Sequence, residues 1–128
     1  MLSSSRHSII VIDDESELAS LFKTILKNEG FEALSFSDPV LALEYFKETS
    51  DKHSLIITDM RMPGICGIEL AKKIREINDQ IKIFLMTAYE IRDIEDDPDY
   101  RAARFDRLIQ KPIRFSKLRE MINDALKS

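Results

Sequence analysis

Ser8-Ile9-Ile10-Val11-Ile12-Asp13-Asp14 is a run of apolar, mostly β-branched residues that stops on two carboxylates. A short continuous run of this kind reads as a strand covered on both faces, the type that builds parallel sheets between helices. Leu55-Ile56-Ile57-Thr58-Asp59 repeats the pattern and again stops on a carboxylate. Ile81 to Met86 gives a fourth strand ending at Thr87, and Leu108-Ile109 a short fifth one just before Lys111-Pro112. Phe31 to Phe36, the second in chain order, alternates apolar and polar residues as a half-covered strand does.

Helical stripes lie between these runs. Leu18, Leu21, Phe22, Ile25 and Leu26 recur at helical spacing, and Gly30 stands where a helix C-terminal glycine belongs. Ser37 or Asp38 is placed to cap a helix opening with Pro39, with Val40, Leu43 and Phe46 as its buried stripe. Ile68, Ala71, Ile74 and Ile77 form a further stripe, and Leu118, Met121, Ile122 and Leu126 a last one. Strand and helix in alternation predict an α/β fold. The expectation is a flavodoxin-like, doubly wound sheet of five parallel strands with about five helices in three layers, and fold analogy supplies the strand order 2-1-3-4-5. The carboxyl ends of such strands converge on a ligand crevice, so Asp13, Asp14, Asp59, Thr87 and Lys111 are expected to meet at one edge.

Composition bounds the remainder. A chain of 128 residues suits one domain, expected to span residues 1–128 with a disordered or extended lead over 1–7 and no output domain. With 44% hydrophobic and 33% charged residues it is of the water-soluble globular class, and no stretch nears the roughly 20 apolar residues of a membrane span. Met1 to Ser8 lacks a signal-peptide core, which makes the cytoplasm the expected location. Cys66 is the single cysteine and forms no internal disulfide; a packed or half-exposed thiol is expected. His7 and His53 read as surface or strand-edge residues. A net charge of -4 without a basic stripe argues against direct nucleic-acid binding.

Three carboxylates held together repel, so they need a cation or take up protons. A hard divalent ion with oxygen ligands answers that need, and magnesium keeps positions open for phosphate oxygens. Alone, an Asp-Asp pair after a strand is a helix cap or a solvated turn, and a lone lysine is a surface residue. Together, Asp13-Asp14, Asp59, Thr87 and Lys111-Pro112 in this order resemble the active site of a two-component response regulator receiver domain, over nearly the whole chain. The resemblance implies that Asp59 accepts a phosphoryl group from a sensor histidine kinase or phosphotransfer protein. It implies that Asp14 binds Mg2+ directly, with Asp13 in support and the Arg61 backbone carbonyl completing the set. Lys111 would pair with Asp59 and then with a phosphoryl oxygen, held by a cis bond to Pro112. Thr87 would hydrogen-bond the phosphate, and Ala88 is small enough to admit it. The output implied is altered binding to a downstream protein, by a monomer or weak dimer that is not an enzyme beyond its own phosphotransfer and dephosphorylation.

Several positions depart from the family. Leu108 stands three before Lys111, where receivers usually carry an aromatic switch residue; Tyr89 and Phe105 are the candidates to replace it, or else they simply pack. Six acids lie between Glu90 and Asp99 against the single base Arg92, and Pro98 should end or interrupt any helix there, so the fourth helix is expected to be short or shifted. Arg61 and Tyr89 would flank the path of the hydrolytic water, and their bulk would slow loss of phosphate. The alternative function is a pseudo-receiver, an interaction module indifferent to phosphate. A haloacid-dehalogenase-type phosphatase would want an aspartate where Arg61 stands, and a dinucleotide enzyme a glycine-rich turn where Asp13-Asp14-Glu15 stands.

Overall fold

Residues 7–88 and 91–127 are described in the structure, a computed structural model. The elements follow in the order β1 (Ser8–Ile12), α1 (Ser16–Asn28), β2 (Glu32–Phe36), α2 (Pro39–Thr49), a 3-10 turn (Ser50–Lys52), β3 (Leu55–Asp59) and α3 (Gly67–Ile77). They continue with β4 (Lys82–Thr87), α4 (Ile91–Glu95), α5 (Pro98–Ala103), β5 (Arg107–Gln110) and α6 (Phe115–Leu126). The five strands are parallel in the order β2-β1-β3-β4-β5, as expected. The lead expected over residues 1–7 falls outside the described residues except for His7, and Tyr89 falls outside them too.

The strand runs are apolar throughout because both faces are covered. Ile9, Val11, Leu55, Ile57, Phe84 and Met86 point to one side, against Ala19 and Leu26 of α1 and Leu118 and Ile122 of α6. Ile10, Ile12, Ile56 and Ile83 point to the other, against Ala42 and Phe46 of α2 and Leu70, Ala71 and Ile74 of α3. The register sets Ile9 beside Leu55 and Ile57 beside Phe84, so the carboxyl ends of β1 and β3 finish level with each other.

Two stripe assignments are corrected. Leu21 is 54% exposed and Val40 48% exposed. At 3.6 residues per turn each lies about 200° around its helix from a residue on the sheet, Ala19 and Ala42 respectively. Caps followed the sequence more closely: Asp38 accepts from the Val40 amide at 2.9 Å with Pro39 in the first turn, and Gly30 takes φ +96° after α1.

The β4–β5 crossover contains two short helices, so the described residues hold six α-helices where about five were expected. Pro98 divides them. It opens α5, and the Asp97 carboxylate caps that helix by accepting from the Asp99 amide at 2.8 Å.

Gly67 marks the tightest approach to the site. A Cβ there would meet the Asp59 carbonyl oxygen and stand 2.7 Å from Leu85 Cδ1, so α3 packs on the end of β3 through a missing side chain. Gly67→Ala is expected to cost about 1–3 kcal/mol. The check is a lower urea midpoint at unchanged slope; an unchanged midpoint would contradict the close approach.

Candidate functional site

The crevice at the carboxyl ends of the strands has about 280 Å³ and is lined by Asp14, Glu15, Asp59, Met60, Arg61, Thr87, Ala88 and Lys111. Asp13 follows β1 directly and is only 2% exposed. Its amide donates to the Phe36 carbonyl at 3.0 Å, and its Oδ1 accepts from the Glu15 amide at 2.9 Å. That local turn swings Asp14 and Glu15 outward, and Asp14 is exposed at the rim.

Asp59 is the last residue of β3. Its Oδ1 accepts from the Met60 amide at 3.1 Å and lies 3.2 Å from Lys111 Nζ. The same ammonium stands 3.7 Å from Asp13 Oδ2. Lys111 reaches this point because its amide donates to the Thr87 carbonyl at 2.7 Å, extending the β4–β5 ladder past β5; the bond that follows, to Pro112, is cis. Thr87, at the end of β4, is fully buried, while Ala88 and Arg61 are exposed at the mouth.

Three carboxylates against one ammonium leave an excess of negative charge. Burial pushes the Asp59 carboxyl above its ordinary range; Lys111 pulls it back and Asp13 pushes it up again, leaving it raised overall. One oxygen each from Asp13, Asp14 and Asp59 lie within 4.8 Å of one another, a spacing and donor set that fit a hard divalent cation.

Asp13, Asp14, Asp59, Arg61, Thr87, Ala88 and Lys111 therefore gather at one edge, while Tyr89 lies outside the described residues. The Asp13–Lys111 contact and the Met60 amide were not anticipated. The first joins residues 98 positions apart, and the second is a backbone donor with no side-chain signature. Leu108 is half-buried against a small cluster with Ile68, Leu85 and Ile94, and Phe105 packs at the edge of the same cluster, stacked on Tyr100 at 5.5 Å. Cys66 is half-exposed before α3. His53 is buried and not at the surface: its Nδ1 pairs with Ser8 Oγ at 2.9 Å and its Nε2 with Thr49 Oγ1 at 3.0 Å, at the opposite end of the strands. Burial, helped by Lys52, lowers its pKa. No helix among the described residues is long and apolar enough to cross a membrane.

Residues 9–123 match the response regulator receiver domain family. The chain is 30% identical to the chemotaxis protein CheY of Bacillus subtilis over 94% of its own length and 98% of that protein's. It is 26% identical to sporulation initiation phosphotransferase F of the same organism, with 92% of each covered. It matches only 28% of the length of the phosphoglycerate transport system transcriptional regulatory protein PgtA of Salmonella typhimurium, at 31% identity. Among solved structures it resembles the response regulator TrrA of Thermotoga maritima in complex with Mg2+ and BeF, with a TM-score of 0.80, 34% identity and 94% and 99% of the two chains covered.

The raised pKa of Asp59 makes a stability prediction. A carboxyl whose folded pKa exceeds its unfolded value favours folding at a pH below the unfolded value, and that contribution is lost as pH rises through the folded one. In divalent-free buffer, Asp59→Asn should therefore melt higher than the wild type at pH 7. The difference should shrink as pH falls towards about 4, the ordinary carboxyl range. A variant less stable than the wild type at pH 7 would contradict this account of the charge.

Proposed function

The chain belongs to the response regulator receiver domain family, and from that premise we propose that it is a phosphoacceptor whose Asp59 takes a phosphoryl group from a sensor histidine kinase or phosphotransfer protein. The single observation that carries this reading is the Asp59 carboxylate at a strand end, 3.2 Å from Lys111 Nζ and beside two further carboxylates. Receiver domains in general are signalling modules, not enzymes acting on metabolites, and here the only chemistry proposed is phosphotransfer to Asp59 and its reversal by water.

In the forward step an Asp59 carboxylate oxygen attacks the phosphorus of the donor phosphohistidine. The new P–O bond forms as the P–N bond breaks, and the imidazole leaves with the electron pair and takes a proton from solvent. Asp13, Asp14, Asp59 and the Arg61 backbone carbonyl would hold a magnesium ion, which when bound supplies positive charge to the phosphoryl oxygens. Lys111 neutralises Asp59 before transfer and follows the negative charge onto a phosphoryl oxygen afterwards. Thr87 sits at the strand end from which its hydroxyl would meet another of those oxygens, and Ala88 leaves room for them at the mouth. The new group adds about -1.5 to -2 charges, enough to bias the surrounding loops towards a different contact with a protein target. We assign the chain to the cytoplasm, as a monomer or weak dimer without direct contact to nucleic acid or membrane.

A phosphate-indifferent interaction module is the competing reading, and no observation favours it: the carboxylates and the lysine lie together. Intact-mass spectrometry after incubation with acetyl phosphate separates the two. The expected result is a magnesium-dependent gain of one phosphoryl group in the wild type and none in Asp59→Ala. No gain in a folded wild type would overturn the proposal. Followed over time, the same assay should show faster loss of phosphate in an Arg61→Ala, Tyr89→Ala double variant, and slower loss would refute the role given to their bulk.

A further inference from the structure

We propose that Arg75 is a positioning residue that fastens the second half of the β4–β5 crossover to α3, so that the response to phosphate is confined to the first half, residues 88–97; the proposal rests on the reading of Asp59 as the phosphoacceptor. Arg75 lies in the last turn of α3, and its side chain is only 7% exposed. Its guanidinium meets five acceptors. Nε donates to the Ala103 carbonyl at 2.9 Å, and Nη2 donates to the Arg104 carbonyl at 2.7 Å and to Asp106 Oδ2 at 3.4 Å. Nη1 donates to the Asp79 carbonyl at 3.3 Å and to the Ile81 carbonyl. A guanidinium has five N–H donors in a rigid fork, so one side chain ties α3, the approach to β4 and the link from α5 to β5 into a single node.

The node also holds a strained turn. Arg104 is the one non-glycine residue with positive φ among the described residues, at 52°, and it ends α5 in the left-handed conformation. That conformation is costly for an L-residue, and the Arg75 bonds to the Ala103 and Arg104 carbonyls offset the cost. Asp106 completes the node by accepting from the Ile83 amide at 2.8 Å. Ala103 is fully buried, and Tyr100 stacks on Phe105 over the same segment.

The first half of the crossover is held differently. α4 has five residues, and Ile94 is its single buried side chain, seated in the small cluster of Ile68 and Leu85 with Met60, Leu108, Tyr100 and Phe105 at its edge, so its hold is apolar packing shared with the second half and not a hydrogen-bonded node of its own. Met60 bonds to the Asp59 carboxylate through its amide, so the seat of Ile94 begins one residue from the proposed phosphoacceptor. Asp93 and Glu95 face solvent beside it. A charge change at Asp59 therefore meets first an α4 held by one buried side chain and then an α5 whose end is clamped by Arg75.

Hydrogen–deuterium exchange on the full chain tests this, with and without magnesium and beryllofluoride as a phosphoryl mimic. In the wild type, peptides across 88–97 should change on addition of the mimic, while peptides across 98–106 stay protected and unchanged. Arg75→Ala should make 98–106 exchange at least about tenfold faster without any ligand, the effect of losing one charge-assisted hydrogen bond, and should make it respond to the mimic. Arg75→Lys keeps the charge but not the fork and should not restore protection. A wild-type 98–106 segment that responds as strongly as 88–97, or one whose protection survives Arg75→Ala, would overturn the proposal. If the mimic changes nothing anywhere in the wild type, the reading of Asp59 fails, and the ligand-free comparison of wild type with Arg75→Ala still decides the clamp.

Discussion

The repulsion among Asp13, Asp14 and Asp59 is the constraint from which the rest of the structure follows. Carboxylates this close, two of them largely withdrawn from water, are costly unless a counter-charge is held beside them. Lys111 supplies one such charge. Its position requires β5 to lie beside β4, the ladder to continue through the Lys111 amide to the Thr87 carbonyl, and the chain to turn at once at Pro112. The sheet is in this sense a frame that brings three strand ends to a common level so that one ammonium serves two carboxylates.

That frame explains where the molecule is rigid. β1 and β3 are buried on both faces, and α3 approaches β3 so closely that Gly67 has no space for a methyl group. The approach fixes the Met60 amide, which accepts no freedom because Met60 also donates to the Met86 carbonyl at 2.8 Å. On the far side of the site the crossover between β4 and β5 divides at Pro98 into a lightly seated helix and an anchored one. Geometry near Asp59 is thus fixed where charge must be placed and looser where a change of charge could be passed outward.

Much of this was legible in the sequence because the strands are covered on both sides. Ile9 to Ile12 and Leu55 to Ile57 are short runs rich in β-branched residues, which favours a covered strand over a buried helix, and parallel strands then place their terminal carboxylates at a shared edge. Pro98 marked the break in the crossover because proline lacks the amide a continuous helix needs. Leu21 and Val40 were misplaced because an apolar residue near a stripe does not say which side of the helix meets the sheet. Of the surface or strand-edge positions expected for His53 it takes the strand edge, withdrawn from the surface by bonds to Ser8 and Thr49, residues from separate elements. Arg75 gave no sign at all: four of its five acceptors are backbone carbonyls, which no side-chain pattern records.

Uncompensated negative charge at Asp13, Asp14 and Asp59 is expected to recruit a cation, with Lys111 as its partial competitor. Calorimetric titration of magnesium into the wild type and into Lys111→Met decides whether it does. The expected result is one saturable site per chain and tighter binding once the competing ammonium is removed. An absence of saturable binding, or weaker binding in Lys111→Met, would contradict it.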